Sequence, residues 1–166
     1  FSDYTVKVDV SGLDANSVYY HRFNALGRSS PTGRTKTVNN SISSEVKLGF
    51  ASCSNYEFGY FVAYRHLGNK ELDAVIHLGD YFYEYEPNRY WDSTFTRKHL
   101  PPKELITLED YRIRHAQYKL DKDLQYVHSR HPFIAIWDDH EISDDAYSTG
   151  ALNHQKDEGD YAIRKQ

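Results

Sequence analysis

Leu72-Asp73-Ala74-Val75-Ile76-His77-Leu78-Gly79-Asp80-Tyr81-Phe82-Tyr83 is the stretch that decides the fold of this chain. The apolar run Ala74 to Leu78 closes on a glycine and then a carboxylate. A short apolar run bounded by a turn signal reads as a buried strand. In open α/β sheets, chemistry gathers just beyond the carboxyl ends of the strands, and Asp80 stands at such an end. Gly79 lets the backbone turn sharply there. Tyr83, three residues on, reaches the same spot. A carboxylate and a phenol so placed suit a hard, highly charged metal ion. Taken alone, Gly-Asp is more often a strand, a turn and a surface carboxylate. Two other strand ends change that balance.

The first precedes it. Val46 to Ala51 is an apolar run ending in Ser52-Cys53-Ser54-Asn55, which puts Cys53 at a strand end. From Gly59 to Leu67 the spacing of Phe61, Ala63, Tyr64 and Leu67 suits a helix with Gly68 as its stop. Strand, helix and the Asp80 strand form a βαβ unit, expected to be parallel. The second strand end follows. Thr107 and Asp110 make a capping-box pattern, opening a helix from about Leu108 to Tyr118. A further helix runs from about Lys122 to His128. After Pro132, Phe133 to Trp137 is a third buried strand that delivers Asp138-Asp139-His140-Glu141. Cys53, Asp80 with Tyr83, and Asp139 with His140 are therefore expected at one edge of one sheet. Thiolate, carboxylate, phenolate and imidazole are all metal ligands, and the mixture points to trivalent iron beside a harder divalent ion. A lone cysteine at a strand end is more often a small buried hydrophobe. The coincidence of three ends is what carries the reading.

The remaining chain frames this core. Residues 4 to 10 alternate apolar and polar, the period of a half-buried strand. Val18 to Phe23 is a second strand, and Gly27-Arg28 turns it toward a third near Arg34 to Val38. Leu13 and Tyr19 resemble the leucine and corner tyrosine of fibronectin-like sandwiches, whose hydroxyl bonds back to the chain. Residues 1–40 thus read as the C-terminal part of an N-terminal β-sandwich domain, and polar residues 39–44 as a linker. Tyr83 to Pro102 lacks periodicity, and a loop of that length is usually functional or mobile. Residues 157–166 read as a terminal helix.

Composition sets outer limits. The chain has 166 residues and a net charge of −4, with 24 acidic against 20 basic side chains, so no basic face invites nucleic acid. One cysteine excludes an internal disulfide and leaves the compartment open. No apolar run approaches the roughly 18 residues of a membrane span. The 15 tyrosines suit a wet cleft or a half-exposed sheet.

The motifs also carry a family resemblance. Gly79-Asp80-Tyr81-Phe82-Tyr83 matches the G-D-x-x-Y block of dinuclear metallophosphoesterases. Asp139-His140-Glu141 stands where most members carry Asn-His-Glu or Asn-His-Asp, and Ala51-Ser52-Cys53 replaces their first Asp block. These departures, with Trp137-Asp138 and Glu158-Gly159-Asp160-Tyr161, resemble the PhoD-type alkaline phosphatase/phosphodiesterase branch. That branch carries a β-sandwich ending in a segment like Gly33-Arg34-Thr35-Lys36-Thr37. The resemblance implies an α/β calcineurin-like metallophosphoesterase core, here in part, with residues 45–166 as the N-terminal part of the catalytic domain. It implies iron(III) on Cys53 and Tyr83, Asp80 bridging to calcium, and Asp139 on the calcium side, with Asp138 in support. His140 would orient substrate or protonate the leaving oxygen. It also implies a phosphate-ester substrate, small-molecule or lipid, and an extracellular, periplasmic or cell-surface location. Family members complete the site with ligands from later strands, so the expected partner is the remaining C-terminal part of the same catalytic domain. The competing readings are a phospholipase-like phosphodiesterase on the same metals and an inactive fragment serving as a binding module.

Overall fold

A computed structural model describes residues 5–40, 45–90 and 97–165. Its centre is a parallel sheet in the order β5 (Leu48–Ala51), β6 (Ala74–His77), β7 (Phe133–Ala135). Leu48 pairs with Ala74 and Ala51 with His77; Val75 pairs with Phe133 and His77 with Ala135. The register sorts the side chains into two faces, as the two-residue period of a strand requires. Val75 and His77 are buried on the inner face, where Tyr64, Tyr81 and Phe133 pack around His77. The row Phe50, Ile76 and Ile134 lies on the other face, where Phe50 and Ile134 are each 59% exposed. Parallel sheets are ordinarily covered on both faces; among the described residues only one face is covered.

That cover is α1 (Val62–Gly68), α2 (Leu108–Tyr118) and α3 (Lys122–Arg130). The core comprises Phe61, Tyr64, Val75, Tyr81, Phe82, Leu105, Tyr118, Leu124 and Val127. Gly49 allows close packing here, because a Cβ would meet Leu67 and Leu72 side chains at 2.8 Å. Helix α2 starts at the expected capping box, Thr107 accepting from Asp110 N and Asp110 from Thr107 N. Asp121 caps α3 by accepting from Asp123 N and Leu124 N. Gly68 is the last residue of α1 rather than its stop, and Asn69 is the C-cap. No helix of the described residues is long and apolar enough to cross a membrane.

The N-terminal region holds two antiparallel pairs. β1 (Val18–His21) pairs with β4 (Gly33–Lys36), and β2 (Asn24–Ala25) with β3 (Arg28–Ser29). Leu26 and Gly27 both take positive φ between β2 and β3, as tight hairpin turns require. Tyr19 behaves as a corner tyrosine: its hydroxyl accepts from Asp14 N at 2.8 Å. Lys36 pairs with Asp73 at 2.5 Å, and Arg34 donates to Arg130 O at 3.3 Å, which seats the β1–β4 pair against the α/β region.

Several expectations are corrected. Residues 5–10 form no strand, and Val6, Val8 and Val10 are exposed. An alternating pattern makes a strand only with a neighbouring strand to ladder with and a surface for its apolar side chains. Among the described residues no strand pairs with this segment, and its valines remain in solvent. Tyr4, linker residues 41–44, loop residues 91–96 and Gln166 lie outside the described residues. The third strand ends at Ala135 rather than Trp137, although Ile136 N still bonds His77 O at 3.0 Å. The terminal helix is replaced by two 3-10 turns, Lys156–Glu158 and Tyr161–Lys165, separated where Gly159 takes φ +96°.

Candidate metal centre

The turn after β6 is built by contacts that only glycine permits. Gly79 has φ +108°, and a Cβ there would lie 2.5 Å from Asp138 Cβ and 2.6 Å from Asp138 N. The chain leaving β6 thus runs against the chain leaving β7. Glu141 fastens the two ends together. Its carboxylate accepts from Asp138 N at 2.7 Å, from Asp80 N at 3.2 Å and from Tyr81 N. The β5 end is tied in by Cys53 N to Gly79 O at 3.2 Å and Ser54 N to Asp80 O at 2.9 Å. Cys53 and Asp80 both adopt positive φ, +57° and +52°. This conformation is uncommon for non-glycine residues and gathers at functional sites, where surrounding structure imposes it.

All five expected residues meet at this edge. Asp80 is 7% exposed, and its Oδ2 accepts from the Tyr83 hydroxyl at 3.2 Å. The exposed Cys53 thiol lies near enough to Asp80 and Tyr83 to act on the ionisation of both. Asp80, Asp139 and His140 each offer a ligand atom, all within 4.8 Å of one another. Asp139 is fixed at both oxygens, Oδ1 accepting from His140 N at 3.0 Å and Oδ2 from Asp145 N at 2.5 Å. Asp139, Asp144 and Asp145 form a second, overlapping group of the same kind.

The electrostatics fit a cation. Asp80 Oδ1 is buried with no hydrogen-bond partner, a costly state for a charged group unless something compensates it. Burial pushes the Asp80 carboxyl above its usual range, more than His140, Cys53 and Tyr83 lower it. Burial and the neighbouring Asp80 likewise hold the Tyr83 phenol well above its ordinary value. A cation would reverse both effects by favouring the ionised forms. Thiol, phenol, carboxylates and imidazole include donors for both softer and harder ions.

Sequence reasoning passed over the residues behind these groups. Glu84 is fully buried and hydrogen-bonds His140 Nδ1 at 2.8 Å. Burial acts to lower the His140 pKa, but Glu84, Asp80 and Asp139 outweigh it and raise it to about 9. The two ends of the Tyr83–Pro102 loop are tied by Arg114, fully buried on α2, which donates to the carbonyls of Tyr83 and Tyr85 on one side and of Leu100, Pro101 and Lys103 on the other. The capping box that starts α2 was the one sequence signal near Arg114; nothing local marked Glu84.

Fold and site together define an α/β protein whose parallel sheet carries, at its carboxyl edge, a set of groups able to hold a cation. The chain belongs to the PhoD-like phosphatase family. Residues 48–166 match that family, and residues 1–39 match the PhoD-like phosphatase N-terminal domain. Alkaline phosphatase D of Bacillus subtilis (strain 168) is 45% identical over 141 residues, which are 84% of this chain and 24% of that protein. A solved structure of PhoD superposes with a TM-score of 0.84 at 41% identity, covering 96% of this chain and 31% of that one. The chain therefore spans a quarter to a third of the length of these relatives.

Proposed function

We propose that this chain contributes one side of the active site of a metal-dependent phosphoesterase of the alkaline phosphatase D type, acting on phosphate monoesters, diesters or both. One observation carries the reading: Asp80, Asp139 and His140 each bring a ligand atom within 4.8 Å of the others, and the buried Asp80 keeps one oxygen without a partner. Cys53 and Tyr83 would hold iron(III), Asp80 would bridge, and Asp139 would face calcium, whose preference is for oxygen ligands. When bound, such a pair of ions clamps a phosphate and stabilises the charge of in-line displacement. His140 holds its ring beside the same carboxylates and orients the ester or protonates the leaving oxygen. Glu141 keeps Asp80 and Asp138 in register, so the groups meet without rearrangement. In this reading, residues 1–40 close a β-sandwich and 45–166 open the catalytic domain. The further length of a PhoD-type enzyme covers the Phe50–Ile134 face and completes the ligand set. The location proposed is outside the cytoplasm or at the cell surface.

The test is elemental analysis of the whole enzyme together with hydrolysis of p-nitrophenyl phosphate and bis-p-nitrophenyl phosphate. Iron and calcium in the purified enzyme, and loss of both activities on calcium chelation and in Asp139→Ala, are expected. A fully active enzyme free of both metals would overturn the assignment.

A further inference from the structure

We propose that Glu84 is a positioning residue that fixes the tautomer and aim of the His140 ring. This rests on the reading of His140 as a group that faces the phosphate ester. Glu84 is fully buried, so its carboxylate must find donors inside the protein. It finds three. Oε2 meets His140 Nδ1 at 2.8 Å, while Oε1 accepts from Asp144 N and from Asn153 Nδ2, both at 2.8 Å. An ionised carboxylate only accepts, so Nδ1 must carry a proton. Nε2 is then the nitrogen left for the site. Its nearest carboxylate, Asp144 Oδ1, is 3.9 Å away, beyond a direct hydrogen bond.

The rings beside Glu84 complete the hold. His140 lies 4.3 Å from the Tyr83 ring and 5.2 Å from the Tyr85 ring, centroid to centroid. Tyr83-Glu84-Tyr85 thus flanks the imidazole with two rings, one tilted and one edge-on, and holds it by one nitrogen. A carboxylate that fixes a histidine tautomer from behind is a recurring device in hydrolytic and metal sites. Glu84 is itself anchored from the far side. Asn153 O accepts from Ser143 Oγ at 2.5 Å, and Arg164 Nη1 donates to that hydroxyl at 3.3 Å.

The geometry makes glutamine a sharp probe. Glu84→Gln keeps the shape but has one acceptor oxygen. If that oxygen keeps Asp144 N–H and Asn153, the amide nitrogen faces Nδ1 and donates to it. The ring proton then moves to Nε2. Ring nitrogen-15 shifts of the metal-loaded whole enzyme, recorded on the neutral imidazole, should show His140 protonated at Nδ1. Glu84→Gln should move the proton to Nε2, leaving a neutral ring whose Nε2–H is a far weaker acid than the doubly protonated ring that Glu84 supports from behind. It should so lower kcat about 10- to 100-fold, the scale for lost outer partners of site residues, with KM changed less than kcat. A wild-type His140 protonated at Nε2, or exchanging between both nitrogens, would overturn the proposal without any variant having to fold. A folded Glu84→Gln enzyme with unchanged tautomer and kcat would overturn it as well. Turnover unaltered by His140→Asn, with Nδ1 still protonated in the parent, would overturn instead the catalytic reading of His140.

Discussion

Replacing Gly79 with alanine separates two costs that the structure places on one residue. The first is conformational, since φ +108° is glycine territory; forcing another residue there costs on the order of 1–3 kcal/mol. The second is collision. The new Cβ would meet Asp138 Cβ at 2.5 Å, Asp138 N at 2.6 Å and Asp138 Cα at 3.0 Å. Backbone cannot step aside as a side-chain tip can, and overpacking of this kind costs typically ~1–3 kcal/mol more. Gly59 supplies the control, with φ +119° and nothing within 4 Å of its Cβ position. Gly59→Ala should lose only the first cost, while Gly79→Ala should lose both, roughly 2–6 kcal/mol. With a urea m-value of about 1–3 kcal/mol/M, the Gly79→Ala midpoint should fall by on the order of 1 M or more. Relaxation can only push the β6 and β7 ends apart, which separates Asp80 from Asp139. Metal affinity measured by calorimetry should therefore fall in Gly79→Ala and hold in Gly59→Ala. Equal midpoint shifts in the two variants, with metal affinity intact in both, would refute the reasoning.

Other expectations are more direct. The iron-loaded enzyme should be coloured by ligand-to-metal charge transfer, and Tyr83→Phe should bleach or shift the visible band; an unchanged spectrum removes Tyr83 from the iron. His140→Asn should slow esters with poor leaving groups more than p-nitrophenyl esters, which need little protonation; equal losses would point to positioning alone. In the metal-free protein, NMR should place the His140 pKa near 9. Because that value is raised above the ordinary one, its contribution to stability is complete below about pH 6.5 and is lost as pH rises through 9. Urea midpoints of the parent minus those of His140→Asn should follow that curve, and adding cation should lower the pKa; a flat difference would refute the coupling.

The sheet and its three loaded ends were legible because each is announced locally. Ala74–Leu78 is an apolar run closed by Gly79, and Thr107 with Asp110 is a helix start written in four residues. Tyr19 was legible for the same reason, its partner Asp14 lying five residues away. Local pattern misled where the outcome depends on distant surface. Residues 5–10 alternate as a strand should, yet among the described residues no strand ladders with them and their valines stay exposed. The terminal segment has helical composition, but Gly159 at φ +96° interrupts it. The positive φ of Cys53 and Asp80 was also beyond reach, since neither residue type advertises it. It arises from the ladder bonds that join the β5 and β6 ends.

The carboxylates at this edge show why a ligand and an anchor cannot be told apart by residue type. Glu84 accepts three hydrogen bonds from partners 56 to 69 positions away, and Glu141 accepts three, two of them from residues about 60 positions away. Each spends its oxygens on the protein and so holds it together. Asp139 takes one N–H on each oxygen, which leaves lone pairs on both. Asp80 alone among these four has a buried oxygen without a partner. The order of saturation is therefore an order of roles: Glu84 and Glu141 hold His140 and the strand ends in place, Asp139 is fixed but still open, and Asp80 is the group with capacity to spare. In a buried site that capacity is costly unless a cation or substrate takes it up, and so the Asp80 oxygen is where binding should be felt first.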